Sequence, residues 1–160
     1  MARRSDLTIR AAVRSDIPAM QNVIRRAFLV DYGRFMPWPA VQNWVANDIG
    51  GQFVEREWDD FTVAVLGQHV VGLLQVRPGF VKELWVDPAH QRFGVGTALI
   101  NHAVELAEEA GNLSLRVTVF AENLNALKFY LAQNWEPLGV PEPVELLPGA
   151  ILHAQKLIKL

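Results

Sequence analysis

The segment Val86–Thr97, VDPAHQRFGVGT, holds residue types and spacings that can do chemistry. It follows an apolar run of strand length. After it, Val95, Ala98, Leu99, Ala103, Leu106, Ala107 and Ala110 recur at helical spacing, with Gly111 as a C-terminal stop. A helix start exposes unpaired backbone N–H groups and the positive end of the helix dipole. Gly94 and Gly96 carry no side chain to screen those groups, and Arg92 adds a positive charge beside them. That combination suits a phosphate or pyrophosphate. The same glycines would also serve a tight strand-to-helix turn. The dinucleotide fingerprint G-x-G-x-x-G fails at Leu99, and the Walker pattern fails because no Gly-Lys pair exists.

Composition narrows the chemistry further. With 160 residues the chain suits one domain able to bury its own core, and with Cys 0 it has no thiolate nucleophile, zinc knuckle or disulfide framework. Fifteen basic residues stand against 17 acidic ones, giving a formal net charge of −2. A nucleic-acid binder needs a basic surplus, so no nucleic-acid partner is expected. His69, His90, His102 and His153 form no H-x-x-x-H or H-E-x-x-H pair, so no metal is expected. No apolar run approaches the roughly 20 residues of a membrane span, and the N-terminus lacks a signal-peptide pattern. The expectation is a soluble cytoplasmic protein.

The elements that must position the loop follow from periodicity. Leu7–Val13 reads as a strand. Asp16 is the expected N-cap, with Pro18 behind it, of a helix whose stripe is Ile17, Met20, Val23, Ile24, Ala27 and Phe28. Arg34–Ala40, with two prolines, reads as irregular, and Val41–Glu57 as short helices interrupted at Gly50-Gly51. Phe61–Leu66, Val70–Arg77 and Phe80–Val86 are strand-length runs separated by tight turns, predicting an antiparallel meander. Leu113–Phe120 is a further strand. It follows the long helical connection and so can lie parallel to Phe80–Val86. A helix over about Asn123–Asn134, a Pro-rich loop (Pro137, Pro141, Pro143, Pro148) and a strand near Ile151–Ile158 complete one α/β domain over residues 7–160.

Val86-Asp87-Pro88-x-x-Gln91-Arg92-x-Gly94-Val95-Gly96 resembles the V-D-P-x-x-[QR]-[RG]-x-G-[VI]-G signature of the GNAT superfamily of acetyl-coenzyme A-dependent N-acetyltransferases. Asn123-Leu124-Asn125-Ala126-Leu127-Lys128-Phe129-Tyr130 resembles the same family's N-x-x-A-x-x-F-Y stretch. Asn134 stands where that family usually has Gly, and Trp135 where it has Phe; Asn tolerates the left-handed backbone a helix stop needs. The resemblance implies a GNAT-like fold: a mixed, mostly antiparallel central sheet with a β-α-β coenzyme A-binding core, flanked by helices. It implies acetyl-CoA as cosubstrate and direct acetyl transfer to a primary amine, borne by a small molecule or a peptide. No catalytic cysteine is needed for that reaction.

The resemblance also implies site residues. Gln91, Arg92, Phe93, Gly94, Val95, Gly96 and Thr97 would hold the pyrophosphate, largely through backbone amides. Backbone groups of Trp85 and Val86 would meet the acetyl and pantetheine arm. Asn123 fits a helix N-cap, which leaves Asn125 as the pantetheine ligand. Tyr130 matches the tyrosine that protonates the departing thiolate; otherwise it packs on Phe129. Glu83 is the candidate base; otherwise it is a surface carboxylate or a partner for Lys82 or Arg77. Strand alternation would put Val81, Glu83 and Trp85 on one face.

Eight aromatics and six acids fall within residues 28–61, the region that in such domains covers the acceptor. Most of these rings can be core. Tyr32, Phe35 and Trp38, in a proline-broken stretch, are the candidate acceptor-binding residues, and the acids suit a cationic acceptor. The competing reading is a non-catalytic acyl-coenzyme A sensor. Exposed strand edges leave room for a homodimer.

Overall fold

A computed structural model describes residues 6–91 and 93–160. The short turns between apolar β-branched runs do what their sequence demands. Strands β1 (Leu7–Ala11), β2 (Thr62–Leu66), β3 (His69–Arg77) and β4 (Phe80–Val86) form an antiparallel meander. Gly67 and Gly79, both with positive φ, make the two hairpin turns. Helix α4 (Val95–Glu109) carries the chain over the sheet, so β5 (Leu115–Phe120) lies parallel to β4. Strands β6 (Glu136–Leu147) and β7 (Ala150–Lys159) close a seven-stranded sheet of order β1-β2-β3-β4-β5-β7-β6. The remaining helices are α1 (Ile17–Asp31), α2 (Trp38–Ala46), α3 (Ile49–Glu57) and α5 (Leu124–Ala132).

Each sheet face buries its own core. On one, Val95, Leu99, Ile100 and Ala103 of α4, with Tyr130 and Trp135, meet Ala64, Leu74, Val81 and Val117. On the other, Met20, Val23, Ile24, Ala27 and Phe28 of α1 meet Val63, Val65, Leu73 and Trp85. At roughly 1.5–3 kcal/mol per buried large aliphatic or aromatic side chain, these two layers hold the helices against the sheet. Gly72 is the close-approach point, since a methyl there would sit 2.8 Å from both Leu99 and Val95. Among the described residues no helix is long and apolar enough to cross a membrane.

Several expectations require correction. Asp16 stands at the N-cap position of α1 but makes no capping bond. Its carboxylate instead accepts from Val13 N at 2.8 Å and from Arg10 at 2.7 and 3.0 Å. The stretch expected to be irregular already turns helical at Trp38, with Pro39 in the first turn, where its missing N–H costs nothing. The break between α2 and α3 falls at Asn47–Asp48, where Asp48 adopts φ +45. Gly50 and Gly51 lie within α3, and glycine is required there because a β-carbon at Gly50 would collide with the Trp44 ring and one at Gly51 with Asp48. Of the Pro-rich segment, Pro137, Pro141 and Pro143 lie in strand β6 rather than a loop, and Pro148 sits in the turn after it. The strand lies at the sheet edge, where absent donors are tolerated.

Candidate active site

The site begins with a failure of pairing. β4 and β5 are paired only at Phe80↔Arg116 and Val81↔Val117, then separate toward their C-terminal ends. A cavity of about 360 Å³ occupies the gap. On the α4 side its lining includes Val86, Gly94, Gly96, Thr97, Asn125 and Phe129. Tyr130 of α5 and Glu83 of β4 line the same space, together with Asp31 and Tyr32 from the end of α1.

A bulge decides where Glu83 points. Gln75 pairs with Glu83 and the next residue, Val76, pairs with Val81, so Lys82 is the extra residue. Val81 therefore packs into the α4-side core, whereas Trp85 packs into the α1-side core. This corrects the expectation that Val81, Glu83 and Trp85 share a face. Trp85 Nε1 donates to Glu83 Oε2 at 2.7 Å, fixing one carboxylate oxygen. Burial pushes the Glu83 carboxyl above the usual carboxylate range. The Trp85 bond and Lys82 oppose that rise, and Glu57 adds to it.

Behind Glu83 lies a polar cluster. Gln75 is fully buried, and its Nε2 donates to Glu57 and Asp60 at 3.0 Å each. Arg77 pairs with Asp60 and, at 3.7 Å, with Glu57, while Lys82 reaches Glu57 at 3.4 Å. Lys82 also lies 5.7 Å from the Phe53 ring centre. The cluster thus engages Lys82, the cation whose charge acts on Glu83.

Tyr130 is 3% exposed and packs edge-to-face on Phe129 and on Trp135, each at 5.1 Å. Burial drives its hydroxyl pKa well above the tyrosine range, and the nearby Tyr32 hydroxyl adds to the effect. The group is therefore a neutral donor at any ordinary pH. Asn134 ends this helix region with φ +66, the left-handed stop its sequence position called for.

Helix α4 starts on Gly94, whose φ of +72 suits glycine. Gly96, in the first turn, faces Phe129: a β-carbon there would lie 3.3 Å from the ring. Val95 is fully buried, so only its backbone is available to a ligand. Phe93 is 40% exposed, leans on His90 and is not part of the cavity lining. Arg92 lies outside the described residues. Asn123 caps α5 by accepting from Ala126 N at 3.2 Å, and Asn125 is exposed at the cavity wall.

Of the candidate acceptor residues, Tyr32 lines the cavity. Its ring centre lies 5.1 Å from Trp85, 5.3 Å from Phe35 and 6.4 Å from Phe120. Phe35 stands behind Tyr32, and Trp38 is 67% exposed away from the lining. Sequence reasoning passed over three contributors. Phe120 belongs to a strand whose core-facing positions are Leu115 and Val117, so alternation alone would have turned it to the other face. Asp87 accepts from Ala89 N at 3.3 Å, from Arg26 at 3.3 Å and meets His90 Nδ1 at 3.2 Å, stapling the loop to α1. Asp31 accepts from Gln91 Nε2 at 2.8 Å, tying the end of α1 to the same loop.

The uncharged, amide- and hydroxyl-bearing wall on the α4 side, with a glycine in the helix's first turn, fits an extended ligand ending in a phosphate. Among the described residues no cluster of three or more His, Cys, Asp or Glu could hold a metal ion.

Comparison with known proteins agrees with this arrangement. The family model described as "Acetyltransferase (GNAT) family" matches residues 17–135. An uncharacterised N-acetyltransferase of Methanocaldococcus jannaschii is 39% identical over 56 residues, which span 35% of this chain and 25% of that protein. The crystal structure of a GCN5-related N-acetyltransferase of Rhodopseudomonas palustris superposes with TM-score 0.79 at 21% identity, covering 95% of this chain and 94% of that one. The PaiA N-acetyltransferase of Thermoplasma acidophilum, solved in complex with coenzyme A, gives TM-score 0.71 at 16% identity over 93% and 97%. With the opened sheet, the glycine-started helix and the matched residues in agreement, the chain belongs to the GNAT family of acetyltransferases.

Proposed function

We propose that this protein transfers the acetyl group of acetyl-CoA directly to a primary amine. The observation that carries the reading is the gap between β4 and β5, where one cavity joins Gly94, Gly96 and Thr97 to Tyr130 and Glu83. Backbone amides at the start of α4 would hold the pyrophosphate, with Gln91 and Arg92 beside them. Backbone groups of Trp85 and Val86 and the Asn125 side chain would guide the pantetheine arm. Bound acetyl-CoA supplies the activated acetyl carbon.

The chain's own residues then handle protons. Glu83, raised by burial and held by Trp85, takes the extra proton of an incoming ammonium and passes it to solvent, then takes the proton the nitrogen loses as it bonds to carbon. The amine nitrogen forms the new bond to carbon as the carbon–sulfur bond breaks. Tyr130, neutral in its buried site, gives its proton to the sulfur and regains one through solvent as Glu83 releases the proton it took, so the products are an amide and a thiol and both residues return to their starting state. Holding both reactants in one small cavity contributes much of the acceleration.

A thiol-release assay with acetyl-CoA and a broad amine panel tests this. Tyr130→Phe should lower turnover at least tenfold, with coenzyme A affinity unchanged within twofold. Coenzyme binding without thiol release from any amine would instead favour the sensor reading.

A further inference from the structure

The acceptor end of the cavity has a charge pattern that restricts what can bind. Its charged lining residues, among those described, are Asp31, Lys82 and Glu83. Lys82 is engaged by Glu57 and the Phe53 ring, and Arg77 by Glu57 and Asp60. Two carboxyl groups thus flank Tyr32, Glu83 held by Trp85 and Asp31 by Gln91, and the Tyr32 hydroxyl is pushed up by burial and by both of them. Arg34, in the exposed turn after Tyr32, offsets Asp31 only in part. The rings on that lining are Tyr32 and Trp85, 5.1 Å apart, with Phe35 and Phe120 packed against Tyr32 off the lining.

We infer that the acceptor is a primary amine on an apolar arm, with no free carboxylate beside the amino group. This rests on the acetyltransferase reading above. An ammonium entering this end is attracted by Asp31 and Glu83 and can surrender its proton to Glu83. A carboxylate on the same carbon would enter with it, a few ångströms from two like charges. The described cation on the lining, Lys82, is already shared between Glu57 at 3.4 Å and the Phe53 ring, and the partly buried surroundings strengthen the repulsion. An apolar arm, in contrast, finds the rings of Tyr32 and Trp85.

The experiment compares phenylalanine, phenylalaninamide, phenethylamine and ethylamine as acceptors in the thiol-release assay. The amide and phenethylamine should exceed phenylalanine at least tenfold in kcat/KM at a pH where each amine is equally ionised. Phenethylamine should also show the lower KM of the two simple amines. In Asp31→Asn the penalty on phenylalanine should shrink several-fold while the ranking of the uncharged arms stays the same. Equal use of phenylalanine and its amide, or a penalty untouched by Asp31→Asn, overturns the inference while leaving acetyl transfer standing. Failure to turn over any amine, with coenzyme A still bound, overturns both.

Discussion

Replacing Gly96 by alanine separates the two things that residue does. Gly96 is the second residue of α4, so alanine gains helix propensity, at most about 1 kcal/mol and less so close to the helix end. Against that gain, the new methyl sits 3.3 Å from two atoms of the Phe129 ring and 3.7 Å from Val86 Cγ2. Contacts that tight call for shifts of a few tenths of an ångström, not a broken core. Stability should therefore change by less than about 1 kcal/mol in either direction. The ligand side has no such compensation. If the amides at the start of α4 hold the pyrophosphate as proposed, a methyl that displaces it from one or two charge-assisted hydrogen bonds costs about 1.5–3 kcal/mol. That corresponds to a fall in coenzyme A affinity on the order of 10- to 100-fold. Thermal unfolding without ligand, followed by titration calorimetry with coenzyme A, measures both quantities on one sample. A pantetheine thioester lacking the pyrophosphate should bind wild type and variant equally. A folded Gly96→Ala protein that binds coenzyme A within twofold of wild type would refute a pyrophosphate site at this turn.

Glu83→Gln should abolish the acid limb of the kcat/KM profile and, separately, stabilise the fold. Burial raises this carboxyl, so its ionised form is penalised in the folded state; the penalty grows as pH rises through the raised value and vanishes below the ordinary carboxylate range. The melting temperature of Glu83→Gln should exceed wild type at pH 8 and converge with it near pH 4, as read by calorimetry at the two pH values. Gly50→Ala drives a methyl into the Trp44 ring, which stacks on Phe28 at 3.8 Å. It should cost about 1–3 kcal/mol in denaturant unfolding, and an unchanged midpoint would contradict the close α2–α3–α1 packing. Asn134→Ala, at φ +66, should cost about 1–2 kcal/mol, whereas Asn134→Gly should be neutral or stabilising by the same measurement.

The legible part of this molecule is the part governed by short-range rules. The hairpins at Gly67 and Gly79, the stripe of α4, the cap at Asn123 and the stop at Asn134 all follow from local backbone preference and periodicity. What was not legible depended on partners far away in sequence. Gly50-Gly51 looked like a helix break because nothing local announced that Trp44 and Asp48 would need the space. The prolines of β6 looked like a loop because edge position is a property of the whole sheet. The bulge at Lys82 reverses one face of β4 and leaves no mark in the alternation around it. The site divides in the same way. The loop and the F-Y helix are contiguous motifs, readable in one window. Asp87 with Arg26 and Asp31 with Gln91 act across about 60 residues of chain, and Phe120 with Tyr32 across more.

Strand β6 has a further consequence for how copies of this protein can meet. A sheet grows by offering an unpaired strand's N–H and C=O groups to a newcomer. At this end of the sheet the last strand is β6, in which Pro137, Pro141 and Pro143 have no N–H at all. Its pairing to β7 is also interrupted between Leu138 and Glu142, where Gly139 takes φ +75. Glu136, Glu142 and Glu145 add like charges along the same strand. Such an edge is a poor template for amyloid-like stacking or for continuation of the sheet into a second molecule. Crowded unfolded or partly folded chains are thereby denied their easiest route to aggregation at this edge. The seven-stranded sheet is terminated here by the chemistry of its last strand.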